Sequence, residues 1–202
     1  MDFNVNSMLE TWKTAVLKPN DFFASAKKSA SFTQGAVWIA IASIAATIIQ
    51  FILASLLGLR TGLKLTPSLS GLPLSLISNA IFALIATAII AGIFWILAHL
   101  LGGSGGFRNQ YYAGAGFHAP LVILGAIIAF IPGVGSLAGL ALLLFQLYLL
   151  WTMIKVIHGL SSGKAAAVVL IPVIILAIVF VVAAALLVSL FGLTGMSGLG
   201  GA

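Results

Sequence analysis

Acidic residues are nearly missing from this 202-residue chain: Asp2, Glu10 and Asp21 are the only three, and none follows Asp21. Carboxylate pairs, acid-oriented histidines and Mg²⁺ or Ca²⁺ cages all need acids, so most hydrolytic and metal-assisted chemistry lacks its residues. Cysteine is absent, which excludes disulfides, thiolate nucleophiles and thiolate-bound metals and leaves the redox compartment unread. Charge of either sign is scarce, at 6% against about one quarter in a soluble domain. The net charge of +6 comes from nine Lys and Arg spread thinly along the chain. They form no basic stripe, which argues against nucleic acid as a partner. Basic residues at membrane edges and anionic lipid explain them better.

What fills the chain instead is apolar: 62% of residues are hydrophobic and the mean hydropathy is +1.26. Such a chain cannot cover its own surface with polar groups, and the lipid bilayer must do so. The fold expected is all-α: a polytopic membrane helix bundle of about five transmembrane helices, preceded by amphipathic helical segments.

Residues 1–34 hold every acid and four of the nine basic residues, and read as a cytoplasmic amphipathic segment. Ser7 and Glu10 have capping-box spacing, and Met8, Leu9, Trp12, Ala15 and Val16 recur at helical spacing. Pro19 closes that stretch. A second one follows, with Phe22 and Phe23 ahead of Lys27 and Lys28. Aromatics beside lysines suit a helix lying in the headgroup layer; the alternative is a tail packed on the protein's own helices. The polar lead-in does not resemble a cleavable signal peptide.

Five spans are expected, at about 35–59, 73–101, 118–131, 137–158 and 164–191. A crossing needs about 20 residues, so 118–131 is short and could instead be a re-entrant arm. The second span is long enough to require tilt. Residues 60–72, with Thr, Ser, Gly and Pro67, read as a loop, and so does the mildly polar stretch 107–117 after the glycines at 102–106. Pro132, Gly133 and Gly135 mark a tight turn. Pro172 predicts a kink in the last span, and 192–202 reads as a flexible Gly-rich tail. With five crossings, seven basic residues fall on the side of the N-terminus and two, Arg60 and Lys64, on the other. The positive-inside rule then places the N-terminus in the cytoplasm.

Several patterns imitate active sites. Gly159-Leu160-Ser161-Ser162-Gly163 matches G-x-S-x-G beside His158, but a nucleophile elbow needs a strand before it and an acid in its triad. Gly159 to Lys164 is one residue short of a phosphate loop, with Ala165 where Ser or Thr would hold Mg²⁺. Ser161 and Lys164 lack the companion motifs of Ser-Lys acyl enzymes. The two Gly-x-Gly-x-x-Ala runs starting at Gly114 and Gly133 follow no strand. No catalytic residue, metal ligand or cofactor is assigned. The polar residues within the apolar runs, Gln50, Asn79 and Gln146, with His99, His118 and His158 nearer the edges, suit interhelical hydrogen bonds. Gly135-x-x-x-Gly139, Ala42 and Ala46 suggest close helix packing.

Three elements, in order, resemble the Yip domain family, the Ypt/Rab-interacting multi-pass membrane proteins. These are Pro19-Asn20-Asp21-Phe22-Phe23 before the first span; Gly102-Gly103, then Phe107-Arg108-Asn109-Gln110 leading into Gly116-Phe117-His118-Ala119-Pro120; and Ile131-Pro132-Gly133-Val134-Gly135 with the turn Gly159 to Ala165. The resemblance spans roughly residues 12–190. It implies five spans with the N-terminus inside, and a non-enzymatic role. Relatives in eukaryotes act in ER–Golgi traffic with Rab-type GTPases and carry an acidic Asp-Leu-Tyr-Gly-Pro element that this chain lacks. The resemblance therefore implies a prokaryotic member in the cell membrane, with a small GTPase as partner only for a eukaryotic protein of the ER or Golgi.

The function expected is helix association, including a membrane-protein partner or a second copy, together with partner or lipid binding at the cytoplasmic face. The residues expected to form that interface are Trp12, Phe22, Phe23, Lys27, Lys28, Arg108, Gly116, Phe117 and Pro120. The alternative is a small transporter or channel component, with Asn79, His118 and Gln146 lining a path between interrupted helices.

Overall fold

The computed structural model describes residues 4–61, 69–131, 133 and 135–197. Among the described residues seven α-helices follow one another: α1 (Val5–Leu17), α2 (Pro19–Lys28), α3 (Phe32–Thr61), α4 (Leu72–Leu100), α5 (Phe107–Ile128), α6 (Gly135–His158) and α7 (Ser162–Ser197). A single 3₁₀ turn, Leu69–Gly71, precedes α4. Helices α3 to α7 are long and apolar enough to cross a bilayer. They alternate in direction, so the starts of α3, α5 and α7 and the ends of α4 and α6 share one end of the bundle.

Helix α1 begins a turn earlier than the Ser7–Glu10 spacing suggests. The Asn4 side chain accepts hydrogen bonds from the backbone N–H groups of Asn6 and Ser7, at 2.9 and 3.3 Å, so Asn4 is the cap. Pro19 ends α1 and opens α2, because its ring fits the first helical position and cannot donate to the preceding turn. Met8, Trp12 and Ala15 of α1 and Phe22, Phe23 and Ala26 of α2 are buried. Their partners are α5 and, for α2, α6. The tail packs on the protein's own helices.

The third span gains its length at its start. Residues 107–117 are the first half of α5, not a loop, and α5 is 22 residues long, about 33 Å at 1.5 Å per residue. Its polar first turn is anchored: Asn109 Nδ2 donates to the carbonyls of Ala26 and Lys27 at 2.9 and 2.7 Å. The expected loop at 60–72 is also narrowed, since α3 continues to Thr61 and 69–71 is helical; 62–68 lie outside the described residues. Helix α7 runs through Pro172 and on to Ser197, so 192–197 are helical where glycine predicts a flexible tail. At Pro172 the backbone lies in lipid with no water to bond, which favours helix even through a poor former. Residues 198–202 lie outside the described residues.

The core sits at one end. Helices α3 and α5 pack closely through small residues: Ala42, Ala46 and Ala115 are buried, and a Cβ on Gly35 would meet Ala115 Cβ and the Tyr111 ring at 3.3 Å. Close backbone approach replaces the hydrophobic effect as the source of helix association in lipid. Gly135 and Gly139 behave differently. A Cβ on Gly139 would touch nothing, and one on Gly135 would meet only the carbonyls that end α5, at 2.9 Å from Ile128 O. Gly135 and Gly133 (φ +75°) serve the turn between α5 and α6, whereas Pro132 lies outside the described residues. Toward the far end, α4 and α7 expose most of their large side chains, as lipid-facing helices do.

Candidate functional site

Two places gather the polar and charged residues of this apolar molecule. The first is the end of the bundle where α1 and α2 dock. Every basic residue from Lys13 to Lys28, together with Arg108, Lys155 and Lys164, lies there. Lys164 Nζ donates to Leu101 O at 2.9 Å, capping α4, and Lys155 Nζ stands 5.2 Å from the centre of the Trp151 ring. Lys13 lies 3.9 Å from Glu10. Lys18, Lys27, Lys28 and Arg108 are exposed, and no acid among the described residues pairs with them. Arg108 and Lys164 stand in the first turns of α5 and α7, where the helix dipole is already positive. This end therefore has a surplus of positive potential.

The expected interface residues divide sharply here. Lys27, Lys28 and Arg108 face outward, and the Asn109 bonds to Ala26 and Lys27 bring the ends of α2 and α5 together. Trp12, Phe22, Phe23, Gly116 and Phe117 are buried, and Pro120 is half-buried in α5. Phe22, Phe23, Gly116 and Phe117 pack on one another within the bundle. The Phe23 and Phe117 rings meet edge to face at 6.0 Å, and Phe22 lies 5.9 Å from Tyr112. Gly116 gives Phe22 its space, since a Cβ there would come 2.5 Å from Phe22 Cζ. Aromatic spacing alone could not separate a helix facing headgroups from one facing its own bundle.

Polar side chains also tie the helix ends to one another. His158, buried at the end of α6, lies with Nε2 2.7 Å from Gln110 Oε1. Gln110 Nε2 donates to Ala91 O of α4 at 2.7 Å. Trp95 Nε1 donates to Gly105 O, and Trp151 Nε1 to Ser162 O. The loop at 102–106 lies hard against α6: a Cβ on Gly103 would come 2.8 Å from His158 Cβ, and one on Gly105 2.7 Å from Ile157 O.

These bonds give the G-x-S-x-G segment a plain structural role. Gly159 takes φ +67°, a left-handed value that ends α6, and the Ser161 carbonyl accepts from Ala165 N at the start of α7. The His158 ring is turned to Gln110, not to a serine, and no strand precedes the turn among the described residues.

The second place is a cavity of about 130 Å³ among α4, α5 and α6, in the half of the bundle nearer the basic end. Gln110, Tyr111, His118 and Gln146 line it together with Thr87 and apolar side chains. Gln146 Nε2 is 3.0 Å from His118 Nδ1. Asn79 does not join them. It donates to Thr47 Oγ1 at 3.2 Å and lines a separate cavity of about 470 Å³ between α3 and α4, beside Gln50, toward the far end. The three residues expected to share one path are thus divided between two cavities, lined by different stretches of α4. Among the described residues no three His, Asp or Glu stand close enough to hold a metal ion.

The family model of the Yip1 domain matches residues 13–198. No curated protein and no solved structure matches the chain.

Proposed function

Because this chain belongs to the Yip1 domain family and is a multi-pass membrane protein of that type, we infer that it acts without catalysis, through helix association and by binding anionic lipid headgroups or an acidic partner segment at its basic end. The observation that carries this reading is the placement of Lys18, Lys27, Lys28 and Arg108, exposed and unpaired with any described acid, at one end. Helix N-termini at the same end add to the field. That end holds seven of the nine basic residues, so the positive-inside rule assigns it, with the N-terminus, to the cytoplasm.

The buried aromatics shape the test. Deleting residues 1–30 would strip Phe22 and Phe23 from Phe117 and Tyr112 and would report on folding. Lys27→Gln, Lys28→Gln and Arg108→Gln combined leave the core untouched. Purification from micelles holding equal phosphatidylglycerol and phosphatidylcholine should enrich the anionic lipid on the wild type and lose most of that enrichment in the triple variant, more so at low salt. Crosslinking in native membranes should lose its partner bands in the same variant. Unchanged lipid enrichment together with unchanged crosslinks would overturn the reading.

A further inference from the structure

We propose that the cavity among α4, α5 and α6 is a binding site for a lipid alcohol, an uncharged apolar chain or ring bearing a hydroxyl group. The proposal is independent of the basic end.

Depth comes first. At 1.5 Å per residue, His118 lies about 17 Å along α5 from Phe107, and Gln146 about 18 Å along α6 from His158. Both helix ends belong to the same end of the bundle. The polar pair therefore sits near the middle of a hydrocarbon core about 30 Å thick. Polar side chains at that depth are expensive unless something satisfies them.

Charge comes second. No Asp, Glu, Lys or Arg lines the cavity. An ion or a charged headgroup would be stripped of water there with no opposite charge to meet it. The occupant is neutral.

Hydrogen-bonding capacity narrows the class. An amide nitrogen only donates, so the 3.0 Å contact runs from Gln146 Nε2 to His118 Nδ1. Neutral His118 then carries its hydrogen on Nε2. The pair keeps one donor, His118 Nε2–H, and one acceptor, Gln146 Oε1, neither bonded to a described residue. The two point apart, so one hydroxyl meets one of them, either accepting from His118 Nε2–H or donating to Gln146 Oε1; a carbonyl can only accept, and an alkane does neither.

Size and access complete the description. A dry cavity of about 150 Å³ holds a benzene, so 130 Å³ takes the hydroxyl-bearing end of a lipid and not the whole molecule. Ile90, in the cavity wall, is 53% exposed on the flank of α4. The remainder of the ligand would extend past it into the bilayer.

The test uses the full chain in lipid nanodiscs with three diazirine probes of matched chain length: a long-chain alcohol, an alkane and a phosphatidylcholine, each mapped by peptide mass spectrometry. The alcohol should label 114–118 and 146–153 about threefold more than the alkane does, the preference expected of one hydrogen bond in a bilayer. His118→Phe with Gln146→Leu should erase that preference. Gly114→Leu and Ala91→Leu, which fill the cavity from α5 and from α4, should remove cavity labelling while labelling of exposed 174–187 persists. That persistent signal certifies folding, and either filled variant suffices if the other misfolds. Equal labelling by alcohol and alkane, equal labelling by the phosphatidylcholine probe, or cavity labelling unchanged in a folded filled variant would each overturn the proposal.

Discussion

His158, the last residue of α6, donates from Nε2 to Oε1 of Gln110, in the first turn of α5, across 2.7 Å. An amide oxygen only accepts, so the neutral imidazole carries its hydrogen on Nε2, and its buried Nδ1 is an acceptor with no partner among the described residues. Gln110 uses its other end on Ala91 O. Two side chains thereby join α4, α5 and α6 at the end of the bundle where the core is densest.

Gln110→Leu should leave the His158 N–H without its partner and take the second bond from the Ala91 carbonyl. The expected loss is about 1–3 kcal/mol, the penalty for buried polar groups left unpaired. Asn79→Leu, which removes a bond to Thr47 at an exposed position, should cost less, on the order of 0.6 kcal/mol. Thermal melts in one detergent would rank the two, and the reverse order would show that the His158–Gln110 pair does not hold the bundle.

Glycine substitutions should separate by space. Gly103→Ala and Gly105→Ala force a Cβ to within 2.8 and 2.7 Å of neighbouring atoms and should lower stability by about 1–3 kcal/mol. Gly139→Ala meets nothing within 4 Å and should be neutral or slightly stabilising, since alanine is the better helix former. The melting temperatures of the three variants, measured side by side, check this.

Gly116 and Phe22 should be energetically coupled. Gly116→Ala alone collides with the Phe22 ring and should destabilise; Phe22→Ala alone should open a gap. The double variant should lose less than the sum of the two, by about 0.5–3 kcal/mol in a double-mutant cycle. Strict additivity would mean that α2 does not seat on α5 through this pair.

Cysteine accessibility can read the topology directly, because the chain has no cysteine of its own. Single cysteines at Ser29, Ser104 and Ser161 should react with an impermeant maleimide from one side of the membrane. Cysteines at Ser70 and Ser136 should react from the other side. Ser136 reacting with the first group would mean that α5 does not cross.

Much of the fold was legible because lipid imposes a simple rule. An uninterrupted apolar run must become a helix that satisfies its own backbone, so the existence of spans at 35–59, 73–101, 137–158 and 164–191 follows from hydropathy. The third span was harder to read. Arg108, Asn109 and Gln110 make 107–117 look like a loop, and only the carbonyls of Ala26, Lys27 and Ala91 reveal why a polar stretch can begin a helix there. Of the nine expected interface residues, the charges were legible as outward-facing because burial would cost them their hydration. The aromatics were not, since Phe22 and Phe23 gain comparably from lipid or from protein.

From the residues alone came an all-α, multi-pass membrane protein with an asymmetric distribution of basic residues. Composition and run length settle both, because they concern exchange between water and lipid, which each segment makes largely by itself. The tertiary structure decided which surfaces face inward. It turned Trp12, Phe22, Phe23 and Phe117 into core and set His118 against Gln146 in one cavity while leaving Asn79 in another. Those assignments depend on how helices rotate and tilt against one another, and close packing through Gly35, Ala42, Ala115 and Gly116 fixes that rotation across residues far apart in the chain.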